Sequence, residues 1–197
     1  MMDLAFLTDL AMETLRAPRS AAERIIGLYL DRTTLWTALA LCSVLYILSI
    51  ALTTLQGPRV AELPQFFYEP LIFFFLWTGL LVLAVHALYW TARTMGGEGD
   101  FGDLLAVMTW LQAMRVAAQV ILTVLALVSP ILALLFSAAA GVIGFWIMLN
   151  FITVSMRLPS NFHSLGVLVL AIVGLFFGII ILGGVVGLAT LGVPANV

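Results

Sequence analysis

The chain has 197 residues, 63% hydrophobic and 9% charged, with a mean hydropathy of +1.19 and a formal net charge of −2. A soluble domain carries about 25% charged residues, so a chain this poor in charge could not solvate its own surface. These values exclude a water-soluble enzyme and a basic nucleic-acid-binding protein, and leave an integral membrane protein whose first partner is the lipid bilayer.

Residues 1–32 hold nine of the charges. They do not read as a secretory signal, which would set one basic cluster before a short apolar core and a small-residue cleavage site. Leu4, Leu7, Ala11 and Leu15 recur at helical spacing, with Asp3, Asp9 and Glu13 early and Arg16 late, as the helix dipole favours. Pro18 ends this helix, and Ser20 with Glu23 has the spacing of a capping box for a second one carrying Ile25, Ile26 and Leu28 to Leu30. The segment 3–32 is expected to form two short amphipathic helices lying at the membrane surface, apolar side down; the alternative is a solvated helical arm.

Thr33 to Leu55 is an uncharged run of 23 residues, where about 20 suffice to span the hydrocarbon core. Gln56-Gly57-Pro58 ends it, and a loop with Arg59, Glu62, Pro64 and Glu69 follows. A second uncharged run of 23 residues extends from Pro70 to Ala92, with Tyr89 and Trp90 at headgroup level. His86, near that end, has no carboxylate beside it in sequence and reads as a packed histidine rather than a proton relay. Residues 116–156 are 41 uncharged positions, too many for one crossing at about 1.5 Å per residue. Ser129-Pro130 divides them, and Met156 to His163 forms the next polar turn. The predicted fold class is all-α: residues 1–32 as an interfacial segment, then a membrane domain over 33–197 with helices at about 33–55, 70–92, 104–128, 131–155 and 164–190. Five crossings put the termini on opposite sides. Six arginines (Arg16, Arg19, Arg24, Arg32, Arg93, Arg157) against Arg59 alone predict a cytoplasmic N-terminus and an external C-terminus; the absence of Lys fits a GC-rich bacterial genome, and so an expected bacterial inner membrane.

Three groups of residues are candidates for function. The main polar break of the membrane domain is Arg93 to Asp103, where Gly96, Gly97, Glu98, Gly99, Asp100, Phe101 and Asp103 form a candidate interaction loop. Its glycines resemble a phosphate-binding loop only superficially: no βαβ unit surrounds them and three acids would repel a phosphate. The plain reading is a reverse turn with Asp100 or Asp103 capping the next helix. Gln112, Arg115 and Gln119 share one helix face, with Asn150 and Thr153 approaching the same end of the bundle as partners for the glutamines. A polar stripe in a membrane helix is a functional hypothesis by default, set here against Arg115 snorkelling to the headgroups. Gly174, Gly178, Gly183 and Gly187 form two small-residue motifs, and Ser137, Gly141 and Gly144 a similar one, expected to pack neighbouring helices closely or, alternatively, to form a homo-oligomer. Cys42 is a lone thiol in an apolar run, and no motif for a cofactor, a metal or a nucleotide is present.

Several of these segments together resemble the Yip family, the Ypt/Rab-interacting membrane proteins, in its bacterial branch. They are Arg16-Ala-Pro-Arg19, Met95-Gly-Gly-Glu-Gly-Asp-Phe-Gly-Asp-Leu-Leu105, Trp110-Leu-Gln112, Phe145-Trp146, Asn150-Phe151 and His163-Ser164-Leu165. The resemblance covers most of the chain and implies a five-helix membrane domain with a cytoplasmic N-terminus. Many members carry a proline in the third membrane helix, near the place that Arg115 takes here. Eukaryotic relatives take part in vesicle traffic and bind prenylated Rab GTPases, a role not carried over to a bacterial chain. The expected function is a non-enzymatic, membrane-organising or protein-interaction adaptor with a protein partner at the cytoplasmic face. A small permease or channel using the Gln112–Arg115–Gln119 stripe is the alternative. An intramembrane enzyme comes third, since no nucleophile–base pair or pair of acids is readable at membrane depth.

Overall fold

The computed structural model describes residues 4–54 and 69–191. The connection over 55–68, with its expected loop, and the tail over 192–197 lie outside the described residues. The described chain is all-α: α1 (Leu4–Arg16), α2 (Pro18–Ile26), α3 (Arg32–Thr54), α4 (Pro70–Thr94), α5 (Phe101–Val128), α6 (Pro130–Ser155) and α7 (Asn161–Leu191). The last five are long and apolar enough to cross a membrane.

Each break has a local cause. Asp31 caps α3, accepting from the Thr34 N–H at 3.2 Å and from the Thr34 hydroxyl. Between α5 and α6, Ser129 is extended (φ −159°), its hydroxyl faces the Leu132 N–H, and Pro130 fills the first helical position, where no N–H is needed. α4 and α6 end alike. After α4, Gly97 N–H reaches Ala92 O and Gly96 N–H reaches Arg93 O; after α6, Leu158 N–H reaches Thr153 O and Arg157 N–H reaches Val154 O. This pairing needs a left-handed residue, supplied by Gly96 (φ +87°) in one case and by Arg157 (φ +52°) in the other.

The core sits at one end of the bundle. Six consecutive residues of α5, Leu104 to Thr109, are buried, whereas its far half is mostly exposed or half-exposed. α5 packs on α2, α3, α4 and α6, while α7 packs on α4 and α6. In lipid, outward-facing apolar side chains gain nothing by meeting one another, so helix contacts there rest on shape and polar bonds. The buried end differs because α1 and α2 close over it.

That closure gives the amphipathic segment its role. Leu10 of α1 and Ala21, Ala22 and Ile25 of α2 are buried in the same core as Leu104, Phe151 and Ile152. Of the apolar residues expected to face lipid, Ile25 of α2 meets protein, whereas α1 buries Leu10, which lies outside its expected Leu4–Leu7–Ala11–Leu15 stripe; burying Leu10 and Ile25 contributes about 1.5–3 kcal/mol each. Leu15, a member of that stripe, and Met12 stay exposed. The expected capping box is also different. α2 starts at Pro18 with Ala17 before it, and the Ser20 hydroxyl donates to Glu13 Oε1 at 2.5 Å across the α1–α2 corner. Proline's preset φ begins the helix two residues before the serine could cap it.

Arg24 joins this corner, donating to Asp9 Oδ2 at 2.8 Å and Glu13 Oε2 at 2.7 Å. The Ser20 and Arg24 hydrogen bonds hold the Glu13 carboxyl below its ordinary value of 4.5. A carboxyl lowered on folding stabilises the corner above its unfolded value, and that contribution is lost as pH falls through the lower folded value. The α1–α2 corner is expected to loosen below about pH 4.5, and less so in Glu13→Gln. Proteolysis of purified protein by pepsin across that range checks it; a cleavage rate with the same pH profile in both proteins would contradict it.

Candidate interaction face and intramembrane polar site

The turn from Met95 to Asp100 joins α4 to α5 and lies flat on the end of α6. Gly97 and Gly99 are buried, while Glu98 and Asp100 between and after them are exposed. The Glu98 N–H donates to Met156 O at 3.1 Å, and the Gly97 N–H to Ala92 O at 2.8 Å. A Cβ on Gly99 would stand 1.9 Å from Ser155 O and 2.6 Å from Met156 Cα; one on Gly97 would stand 2.9 Å from Ala92 O. Only glycine lets the two backbones approach this closely. With the Gly96, Gly97 and Glu98 amides already bonded within the protein, the turn does not offer the ring of free N–H groups that a phosphate cradle requires.

Phe101 and Asp103 leave this exposed set. Phe101 is half-buried among Trp36, His86 and Tyr89, with ring centroids at 6.2, 4.9 and 5.4 Å, and Arg32 lies over its ring at 5.9 Å. It anchors the start of α5 between α3 and α4. Asp100 takes the N-cap position with an extended backbone, yet its side chain makes no capping bond. Asp103 stands in the first turn of α5, where the helix dipole favours a carboxylate, with Arg157 nearby. His86 is packed as expected, its Nδ1 2.7 Å from Val82 O and its ring stacked on Trp36.

Beside the turn, α2 is pinned to α6 and α7. Arg19 Nε donates to Asn150 Oδ1 at 3.1 Å, and its Nη2 to Asn161 Oδ1 at 2.9 Å. Asn150 Nδ2 donates to Trp146 O, Asn161 Nδ2 to Asn150 Oδ1, and the Thr153 hydroxyl bonds Asn161 and Ser164. A second tie runs from Trp110 Nε1 on α5 to the Thr14 hydroxyl on α1 at 3.0 Å. Asn150 and Thr153 thus serve Arg19 and Asn161, not the glutamines of α5 expected as partners. Sequence reasoning missed Arg19, which is 131 positions from Asn150.

Deeper in the bundle, Gln112 is 3% exposed and its Nε2 has no hydrogen-bond partner. Arg115 is exposed, with its guanidinium 5.9 Å from the Trp77 ring. At 1.5 Å per residue it lies about 21 Å from the Phe101 end of α5, the middle of that helix. Gln119 is half-buried on the same helix.

The Yip1 domain family matches residues 12–183, from within α1 to within α7. The chain belongs to the Yip1 domain family. No curated protein and no solved structure matches it. The Yip1 match takes in α2, the glycine turn and the Arg19–Asn150–Asn161 network, so the features at this end of the bundle all lie inside the domain. The glycines of the Yip1 domain's later helices do not pack as expected. A Cβ on Gly174, Gly178, Gly141 or Gly144 would meet nothing within 4 Å, so these motifs face outward and do not bring α6 and α7 together. α7 turns its Val167 and Ala171 inward instead. The surroundings of Gly183 and Gly187 lie outside the described residues.

Proposed function

We propose that this Yip1-domain chain is a non-enzymatic membrane adaptor whose N-terminal helices and glycine turn form a docking face for a protein partner. The observation that supports it most is the mounting of the turn. Gly97 and Gly99 press its backbone onto α6, and Glu98 and Asp100 are held outward. Among the described residues neither acidic side chain has a hydrogen bond or ion pair within the chain. Two fixed, unpaired carboxylates suit a basic partner surface, where charge complementarity steers encounter and fixes register. The arginine distribution supports placing this face in the cytoplasm.

The permease reading has less support. Gln112 and Arg115 lie beside a cavity, but its other lining residues are apolar and Gln119 is not among them.

Photo-crosslinking in native membranes from positions 98 and 100 tests the adaptor. The expected result is a discrete protein adduct that is lost when the other acid of the pair is reversed, as in Asp100→Lys with the probe at 98. Lipid adducts alone, or a pattern indifferent to charge reversal, would contradict docking at this turn.

A further inference from the structure

A partly open recess of about 200 Å³ lies between the helices, lined mainly by α4, α5 and α7. Leu81 and Val85 of α4, Met108 of α5 and Ala171 of α7 are among its apolar walls, and among the described residues its only polar lining is Gln112 and Arg115. Both bring donors. Gln112 Nε2 is buried with no partner, and a guanidinium has no acceptor to offer. Leaving a buried donor unmade is costly, and a charge at membrane depth is ordinarily paired. No carboxylate on the described helices is near enough. The nearest along α5 is Asp103, about 18 Å away at 1.5 Å per residue. The Trp77 ring face offsets only part of the charge. A water needs two to four polar partners, which two donor groups in an apolar wall supply poorly.

The missing element is an anionic acceptor carried on a hydrocarbon body. We propose that the cavity binds a single-chain carboxylic amphiphile of the long-chain fatty-acid class. Its carboxylate accepts from Gln112 Nε2 and the Arg115 guanidinium, and part of its chain lies along Leu81, Met108 and Ala171. The size sets the class. An apolar cavity of about 150 Å³ is enough to hold benzene, whereas whole-ligand pockets run from about 300 Å³ upward. The space therefore takes one chain segment beside the head group, which a single-chain amphiphile supplies with no second chain to place. Because Arg115 is also exposed, the rest of the tail can pass into the surrounding bilayer. This site is independent of any partner at the glycine turn.

The test uses the purified full-length chain in lipid nanodiscs, with a long-chain fatty acid bearing a mid-chain diazirine and the matching fatty alcohol as probes. The acid is expected to label the segments around Leu81, Met108 and Ala171, at least about tenfold more than the alcohol, the loss that follows from removing a charge-assisted hydrogen bond. Arg115→Leu and Gln112→Leu are each expected to lower labelling by the acid toward that of the alcohol. Ala171→Phe, which keeps both donors but fills the space, is expected to abolish labelling by either probe. Equal labelling by acid and alcohol in the unaltered protein would overturn the proposal, since the cavity would then hold bare hydrocarbon; this comparison needs no variant to fold. Labelling spread over the outward faces of α6 and α7, or displaced by a two-chain phospholipid but not by a fatty acid, would overturn it as well.

Discussion

Replacing Gly99 by alanine is expected to destabilise the protein by about 3 kcal/mol, the upper end of the cost of overpacking a well-filled site. The added methyl would stand 1.9 Å from Ser155 O and 2.6 Å from Met156 Cα, both backbone atoms with no rotamer to yield. Either the turn lifts off α6 or the end of α6 moves. Lifting the turn also breaks the Glu98 N–H to Met156 O bond and draws Phe101 out of its place among Trp36, His86 and Tyr89. The control is Gly102→Ala, three residues on, where a Cβ meets nothing within 4 Å. There alanine is expected to be neutral or to stabilise by up to about 1 kcal/mol through helix propensity. Thermal unfolding of the two variants in nanodiscs checks the contrast. Equal midpoints for both would show that the turn is not seated on α6.

The second large effect is expected at Asn150. Its side chain is 4% exposed and its Oδ1 accepts from both Arg19 Nε and Asn161 Nδ2. Asn150→Leu leaves those two donors without their acceptor and frees the α2 end of the network. The loss is about 2 kcal/mol, in the range for a hydrogen bond to a charged group. Much of it falls on the docking of α1 and α2, because α2 reaches α6 and α7 through Arg19 and its bonds to Asn150 and Asn161. Trypsin cleavage after Arg16, Arg19 and Arg24 is therefore expected to speed up about tenfold or more, while the membrane helices stay folded. An unchanged cleavage rate would mean that burial of Leu10, Ala21, Ala22 and Ile25 alone holds the two helices down.

The two effects mark where the sequence was legible and where it was not. Uninterrupted apolar runs made the five long helices readable, because each exceeds what a bilayer requires. Ser129-Pro130 marked a boundary because both residues act locally, one as a cap and the other as a first-turn residue. The starts of α5 and α7 were less legible. α5 begins at Phe101 and α7 at Asn161, three residues before the expected 104 and 164. Polar residues in a first turn look like loop to a hydropathy reading, although Asp103 is well placed for the helix dipole there. Long-range pairings left no trace in local pattern. Nothing near Arg19 points to Asn150, and nothing near Gly99 points to Ser155. The Gly174 and Gly178 motif misled only as to packing within the chain. The spacing of Gly174 and Gly178 suggests close helix contact, but small residues permit an approach without compelling one, and in this chain both face outward.

The central claim is that the face carrying Glu98 and Asp100 is built before any partner arrives. Hydrogen–deuterium exchange of residues 95–101 in purified, partner-free protein tests it most directly. The Gly97 and Glu98 amides, bonded to Ala92 O and Met156 O, are predicted to be protected, and Gly99→Ala is predicted to remove the protection at Glu98. Exchange of both amides at the rate of an unstructured peptide would contradict the account, because the turn would then take its shape only on contact with a partner.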